Sequence, residues 1–198
     1  MIVFGITGGS GSGKTSVSKM LEKLGVHIID TDVIAHEIVE PNSECLNELV
    51  DYFGYSILND DKTLNRKKLA SIAFSDKQKT EALSNITHKY IKAEVVKDIN
   101  TTDAELVGID GAVIIGSNVE PLCEFIVSVI ADKQSRIARI KTRDNITDEQ
   151  AIQRINAQND DEFYKENSMY IIYNNGDIAQ LESDVVGLFN KIKGNSFE

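Results

Sequence analysis

Residues 8–15 read Gly-Gly-Ser-Gly-Ser-Gly-Lys-Thr, a full G-x-x-x-x-G-K-[ST] match. This string restricts the fold more than any other part of the chain. Its glycines let the backbone wrap an anion with its own N–H groups. A helix must follow, because its N-terminus supplies the partial positive charge that faces a β-phosphate. Lys14 then reaches the β- and γ-phosphates, and the Thr15 hydroxyl is a ligand for Mg²⁺. Gly8, Gly9, Ser10, Gly11, Ser12, Gly13, Lys14, Thr15 and Ser16 are the expected contacts to a nucleoside triphosphate.

The flanks agree with the motif. Ile2–Thr7 is a short apolar, β-branched run, the pattern of a buried parallel strand. After the loop, Val17, Met20, Leu21 and Leu24 recur at helical spacing, and Gly25 fits the position just past a helix end. Val26–Asp30 reads as a second strand, which completes a βαβ unit. Helices are expected at Val33–Glu40, capped by Thr31 or Asp32 and stopped by Pro41, and at Glu44–Phe53, Arg66–Phe74 and Lys77–Asn100. Strands are expected at Glu105–Asp110, Phe125–Ala131 and Tyr170–Tyr173, with a loop over Gly111–Pro121. Helices at Ser135–Arg143, from the Thr147–Gln150 capping box to Asn159, and at Asp177–Lys193 complete the pattern. The fold class is therefore α/β, a doubly wound sheet of five parallel strands.

Composition excludes other classes. The chain has 198 residues, 41% hydrophobic and 26% charged, with 21 basic against 31 acidic residues and a net charge of −10. That is one ordinary globular domain with an acidic surface, a poor partner for nucleic acid or an anionic membrane. Cys45 and Cys123 lack the number and spacing for a disulfide framework or a zinc site. No basic, apolar leader and no run of about 20 apolar residues is present, so a cytoplasmic location is expected. A GTPase is disfavoured: Asp184-Val185-Val186-Gly187 imitates D-x-x-G but lies within the last helix, and no N-K-x-D occurs.

Three further groups carry chemistry. Asp30 and Asp32 stand at i and i+2 where the second strand ends, the side of an open parallel sheet where ligands bind. A carboxylate there accepts a hydroxyl proton, orients a metal-bound water, or caps the next helix. Leu106–Asp110 is an apolar strand ending in Asp, the loose form of a Mg²⁺-supporting Walker B carboxylate. Arg136, Arg139 and Arg143 form one helical stripe, in a 132–144 segment with five bases and two acids, hence 5 − 2 = +3. Such a stripe either neutralises a transferring phosphoryl group or forms a solvated face. Arg154 and Gln158 are one turn apart on the next helix.

Taken in order, Gly-Ile-Thr-Gly-Gly-x-x-Ser-Gly-Lys-Thr, Ile-Asp-Thr-Asp-x-x-x-His, Thr87-His88, Arg139-x-x-x-Arg143-Asp144 and Arg154-Ile155-x-x-Gln158 resemble the dephospho-coenzyme A kinase family. The resemblance spans residue 2 to about residue 192. It implies transfer of the ATP γ-phosphoryl group, with Mg²⁺, to the ribose 3′-hydroxyl of dephospho-CoA. It implies a single P-loop kinase domain over 1–198. The core would be about 1–30, 103–131 and 169–198, the acceptor-binding helices about 31–102 and the lid about 132–168. It also implies small-molecule substrates, ATP and dephospho-CoA, and a monomer is expected.

The resemblance assigns catalysis to Asp32 as general base, Lys14, Arg139 and Arg143, and acceptor binding to Asp32, His36, His88, Asp110 and Arg154. Asn174 matches an Asn on the adenine side of the nucleotide, and Thr15 remains the metal ligand. The chain departs from the family pattern at three places. His36 stands where Arg is usual and Lys89 where Pro is usual, and Asp110–Gly116 replaces a D-x-P-L-L-F-E type segment. The last change falls on the acceptor side. A P-loop kinase of another nucleoside or nucleotide, or a non-catalytic ATP-binding regulatory module, is the alternative reading.

Overall fold

The computed structural model describes residues 1–194. It divides into two compact units: Met1–Ile29 with Thr102 onward, and Asp30–Thr101. The first holds the parallel sheet. Its strands are β1 (Ile2–Thr7), β2 (His27–Asp30), β3 (Leu106–Asp110), β4 (Phe125–Ile130) and β5 (Tyr170–Tyr173). They lie in the order β2-β3-β1-β4-β5. All the strands anticipated from apolar runs form, each within a residue of its expected ends, because runs such as Phe125–Ile130 are buried along their whole length.

The register positions the chemistry. β1 pairs parallel with β3, and Ile6 lies opposite Asp110. The residue after Thr7 and the residue after β3 therefore leave the sheet side by side, where the phosphate loop meets the expected Walker B carboxylate. α1 (Lys14–Lys23) packs against α9 (Ile178–Gly194). Val17 and Leu21 of α1 join Phe4, Ile6, Val127, Val129, Ile172, Val185, Leu188 and Ile192 in one core. Phe125 stacks on Phe4 at 5.4 Å and meets the Tyr170 ring edge-on at 5.3 Å, which ties β1, β4 and β5 together.

The helices α6 (Lys133–Asp144), α7 (Asp148–Asn156) and α8 (Asp161–Glu166) fill the interval between β4 and β5. The Thr147–Gln150 capping box forms in full, and Ile140, Ala151 and Ile155 make a small core of their own. α8 has no counterpart in the sequence expectation. Its six residues are too few to show a period, and it forms because the Asp160 carboxylate caps it by accepting from the Phe163 N–H.

The second unit is helical. α5 (Lys77–Thr101) packs against α2 (Thr31–Glu37), α3 (Glu44–Phe53) and α4 (Arg66–Ala73). Ser43 and Asn65 cap α3 and α4, and Gly54 ends α3 with φ +84°. Two expectations change here. The cap of α2 is Asp30, whose carboxylate accepts from the Asp32 and Val33 N–H groups, so neither Thr31 nor Asp32 is the cap. α2 also ends at Glu37, because the chain turns between Glu37 and Glu40 before Pro41 is reached. Among the described residues, no helix is long and apolar enough to cross a membrane.

Leu21, fully buried between α1, α9 and the sheet, tests this core. Leu21→Ala is expected to cost about 2–5 kcal/mol in denaturant-induced unfolding. A loss below about 1 kcal/mol would show that the core does not depend on this contact.

Candidate functional site

The loop between β1 and α1 has the shape of an anion cradle. Gly11 and Gly13 adopt φ +77° and +97°, which a residue with a side chain rarely takes. A Cβ at Gly13 would fall on the Asn174 amide, and one at Gly11 would meet the Arg136 carbonyl oxygen at 2.7 Å. α1 begins at Gly13 without a side-chain cap, so its first N–H groups have no side-chain acceptor. The Ser12 hydroxyl is buried and lacks a hydrogen-bond partner. An uncapped helix start, a cradle only glycine can line and an orphaned hydroxyl fit a phosphate group.

Side chains from outside the loop hold its carbonyl groups. Arg136 Nε donates to Ser10 O at 2.9 Å. Arg139 Nη1 donates to Gly11 O and Ser12 O, both at 3.2 Å. Asn174 Nδ2 donates to Ser12 O at 2.8 Å. In a trans peptide the N–H opposes the C=O, so drawing these three carbonyls outward turns the Gly11 and Gly13 N–H groups the other way. Arg139 Nη2 also donates to Asn174 O at 3.0 Å and Asn174 Oδ1 at 3.3 Å. Asn174, expected on the adenine side, is thus buried with its amide committed to the loop and to Arg139.

Lys14 ion-pairs with Asp110, whose side chain is almost wholly buried at the end of β3. The pair keeps the ammonium at the loop in the absence of phosphate and neutralises a carboxylate that would be costly to bury alone. Thr15 and Ser16 are exposed on the first turn of α1. Next to Asp110, the Gly111 N–H donates to Ile6 O at 3.1 Å and the Thr7 hydroxyl to Ala112 O at 3.4 Å. The atypical segment is therefore fastened to β1 at its start, whereas Val113 is exposed.

The arginine stripe divides into three roles. Arg136 is 5% exposed and reads the loop backbone. Arg139 is half-buried against the same loop. Arg143 is exposed and forms a two-pronged pair with Asp144, at 2.8 and 2.9 Å. Arg154, from α7, bonds the same carboxylate. The two guanidinium groups, Arg143 foremost, hold the Asp144 carboxyl down at about 2. The structure thus brings Lys14, Asp110, Arg139 and Asn174 to the loop, and Arg143 with Arg154 to Asp144.

The remaining expected residues lie in the helical unit. Asp32 is exposed on the first turn of α2, and because Asp30 is the cap its carboxylate is not used there. His36, one turn later, has its Nδ1 at 2.7 Å from the Asp32 carbonyl oxygen. His88 is half-buried on α5. Burial pushes the Cys45 and Cys123 thiols up to about 11 and about 12, which disfavours the thiolate form. Among the described residues, no group of three or more His, Cys, Asp or Glu could hold a metal.

Residues 2–180 match the family model described as Dephospho-CoA kinase. A dephospho-CoA kinase of Lactobacillus johnsonii is 34% identical over 95% of this chain and 96% of its own length. One of Listeria monocytogenes is also 34% identical, over 96% of this chain and 97% of its own. Among solved structures, a dephospho-CoA kinase from Campylobacter jejuni superposes with a TM-score of 0.69 at 26% identity, covering 98% of each chain. A shikimate kinase from Acinetobacter baumannii, with a TM-score of 0.56 at 18% identity and coverage of 100% of this chain and 96% of its own, shares the fold.

The Asp144 pair gives a pH test. A carboxyl lowered on folding adds stability above its ordinary value, near 3.9, and loses it as pH falls toward about 2. Between about pH 4 and pH 2 the wild type should lose stability faster than Asp144→Asn in urea unfolding. Parallel curves would show that the arginine pairs do not act on folding.

Proposed function

The chain belongs to the dephospho-CoA kinase family, and we propose that its phosphate loop, lid arginines and Asp32 carry out the ATP-dependent phosphorylation of dephospho-CoA at the ribose 3′-hydroxyl. The observation that carries the reading is the cradle itself: outward-held carbonyls, an uncapped α1 and Lys14 poised at its edge.

ATP enters with its β-phosphate at the start of α1, where the N–H groups and the helix dipole favour negative charge. The phosphates then compete with Asp110 for Lys14. The ammonium moves its charge from a carboxylate to the group in transfer, and the buried Asp110 carboxylate then needs another cation beside it. Arg139 stays near the loop as a second cation, and Arg143 and Arg154 are released from Asp144 to meet phosphate oxygens when the segment closes.

A divalent ion fits this donor set. The Thr15 hydroxyl and, through water, Asp110 would hold Mg²⁺, with phosphate oxygens supplying the other ligands, as suits a cation that seldom takes an all-protein cage. When bound, it draws charge from the β- and γ-oxygens.

Asp32 accepts the proton of the acceptor hydroxyl. The hydroxyl oxygen bonds to the γ-phosphorus, the bond from that phosphorus to the bridging oxygen breaks, and ADP leaves with the electron pair. Asp30 serves Asp32 by capping α2, which leaves the second carboxylate available. His36 and His88 take the acceptor side.

Initial rates of ADP formation with dephospho-CoA test these roles. Lys14→Ala is expected to lower kcat by about 10²-fold or more and, since it takes the cation from the buried Asp110 carboxylate, to lower the unfolding midpoint as well. Asp32→Asn, at an exposed carboxylate, is expected to lower kcat by about 10²–10⁴-fold with its unfolding midpoint unchanged. Asp30→Asn keeps the capping oxygen and should turn over like the wild type. Near-wild-type turnover in Asp32→Asn would remove Asp32 as the base.

A further inference from the structure

The Ser10 peptide, at the tip of the phosphate loop, is gripped on both sides by groups that the reaction scheme does not use. Its N–H donates to Gln158 Oε1 at 2.7 Å, and its carbonyl accepts from Arg136 Nε at 2.9 Å. The grip is closed by Arg136 Nη2, which donates to the same Gln158 oxygen at 3.4 Å. Both neighbours of that oxygen are donors, so the orientation of the Gln158 amide follows from its surroundings.

Arg136 is itself immobilised. It is 5% exposed, and its Nη1 lies 3.5 Å from the Asp161 carboxylate at the start of α8. A Cβ at Gly9 would collide with its guanidinium. Gln158 lies just beyond α7. The cycle therefore joins the phosphate loop to both sides of the 132–168 segment through one residue's two backbone groups.

We propose that Gln158 is a positioning residue for the nucleotide: with Arg136 it fixes the Ser10 peptide so that the loop keeps its anion-binding form before ATP arrives. Pre-organisation of this kind raises affinity by removing the ordering cost from the binding step. Glutamine suits the task because its amide oxygen accepts both donors and adds no negative charge beside the phosphates. A second possibility is that Gln158 only occupies an N–H that the triphosphate later claims. The tie to a locked Arg136 favours the standing clamp, and the two differ in sign.

This inference rests on the ATP-binding reading above, so its test measures binding directly. In the full chain, Gln158→Met keeps side-chain length and removes the acceptor. It should weaken binding of a non-hydrolysable ATP analogue by about fivefold to tenfold, the scale of one hydrogen bond. Amide exchange at Ser10, followed by ¹⁵N–¹H NMR, should accelerate by a similar factor, while Val17 and Leu21 on α1 and the thermal midpoint stay unchanged. Gln158→Glu retains an acceptor oxygen and should restore protection of the Ser10 amide.

Analogue binding by Gln158→Met equal to or tighter than the wild type would overturn the clamp. So would Ser10 exchange that rises only in step with general loss of stability, or that Gln158→Glu fails to restore. Failure of the wild type to bind the analogue at all would instead count against the kinase reading.

Discussion

A phosphate loop must keep its amides turned inward when nothing is bound, and here that condition is met by tying its carbonyls outward. Ser10, Gly11 and Ser12 each have their C=O bound by a side chain from α6 or from the end of β5. Glycine makes this possible in two ways: the loop takes positive φ, and Arg136 and Asn174 approach it more closely than a Cβ would allow. Backbone conformation, buried arginine and uncapped helix are parts of one arrangement.

Charge follows the same logic. The chain carries −10 in all, and residues 145–198 hold four bases against ten acids, so 4 − 10 = −6 falls there. Three of the proposed cations are paired with a carboxylate, Lys14 with Asp110 and Arg143 and Arg154 with Asp144, whereas Arg139 is held by carbonyl oxygens. Of these, only the Lys14–Asp110 pair is buried, and there the pairing limits the cost of holding charge away from water. A net charge of −10 opposes binding to extended polyanions.

Much of this was legible in the residues. The motif at 8–15 and the apolar runs gave strands, loop and sheet class, because a strand buried on both faces and a glycine-rich turn have few alternatives. The Thr147–Gln150 capping box was legible for the same local reason. What escaped depends on distance in the chain. Arg136, Arg139 and Arg143 look alike as a helical stripe, yet one reads a backbone carbonyl 126 residues away, one braces Asn174, and one pairs with its neighbour. Spacing cannot separate these, since only the fold decides which guanidinium is buried. Gln158 stood out by its spacing from Arg154, but its partner, 148 residues away in the loop, did not. Asp30 and Asp32 are both good caps by type, and the backbone turn after β2 chose the first.

The central claim concerns the acceptor, where the Asp110–Gly116 segment departs most from the family pattern. Acceptor-dependent ADP release, measured with dephospho-CoA beside a panel of nucleosides and nucleotides, tests it most directly. The account predicts that dephospho-CoA gives by far the highest kcat/KM and that the new phosphate is found on its ribose 3′ oxygen. Turnover of dephospho-CoA no better than that of the panel, or ADP release that no acceptor stimulates, would contradict it.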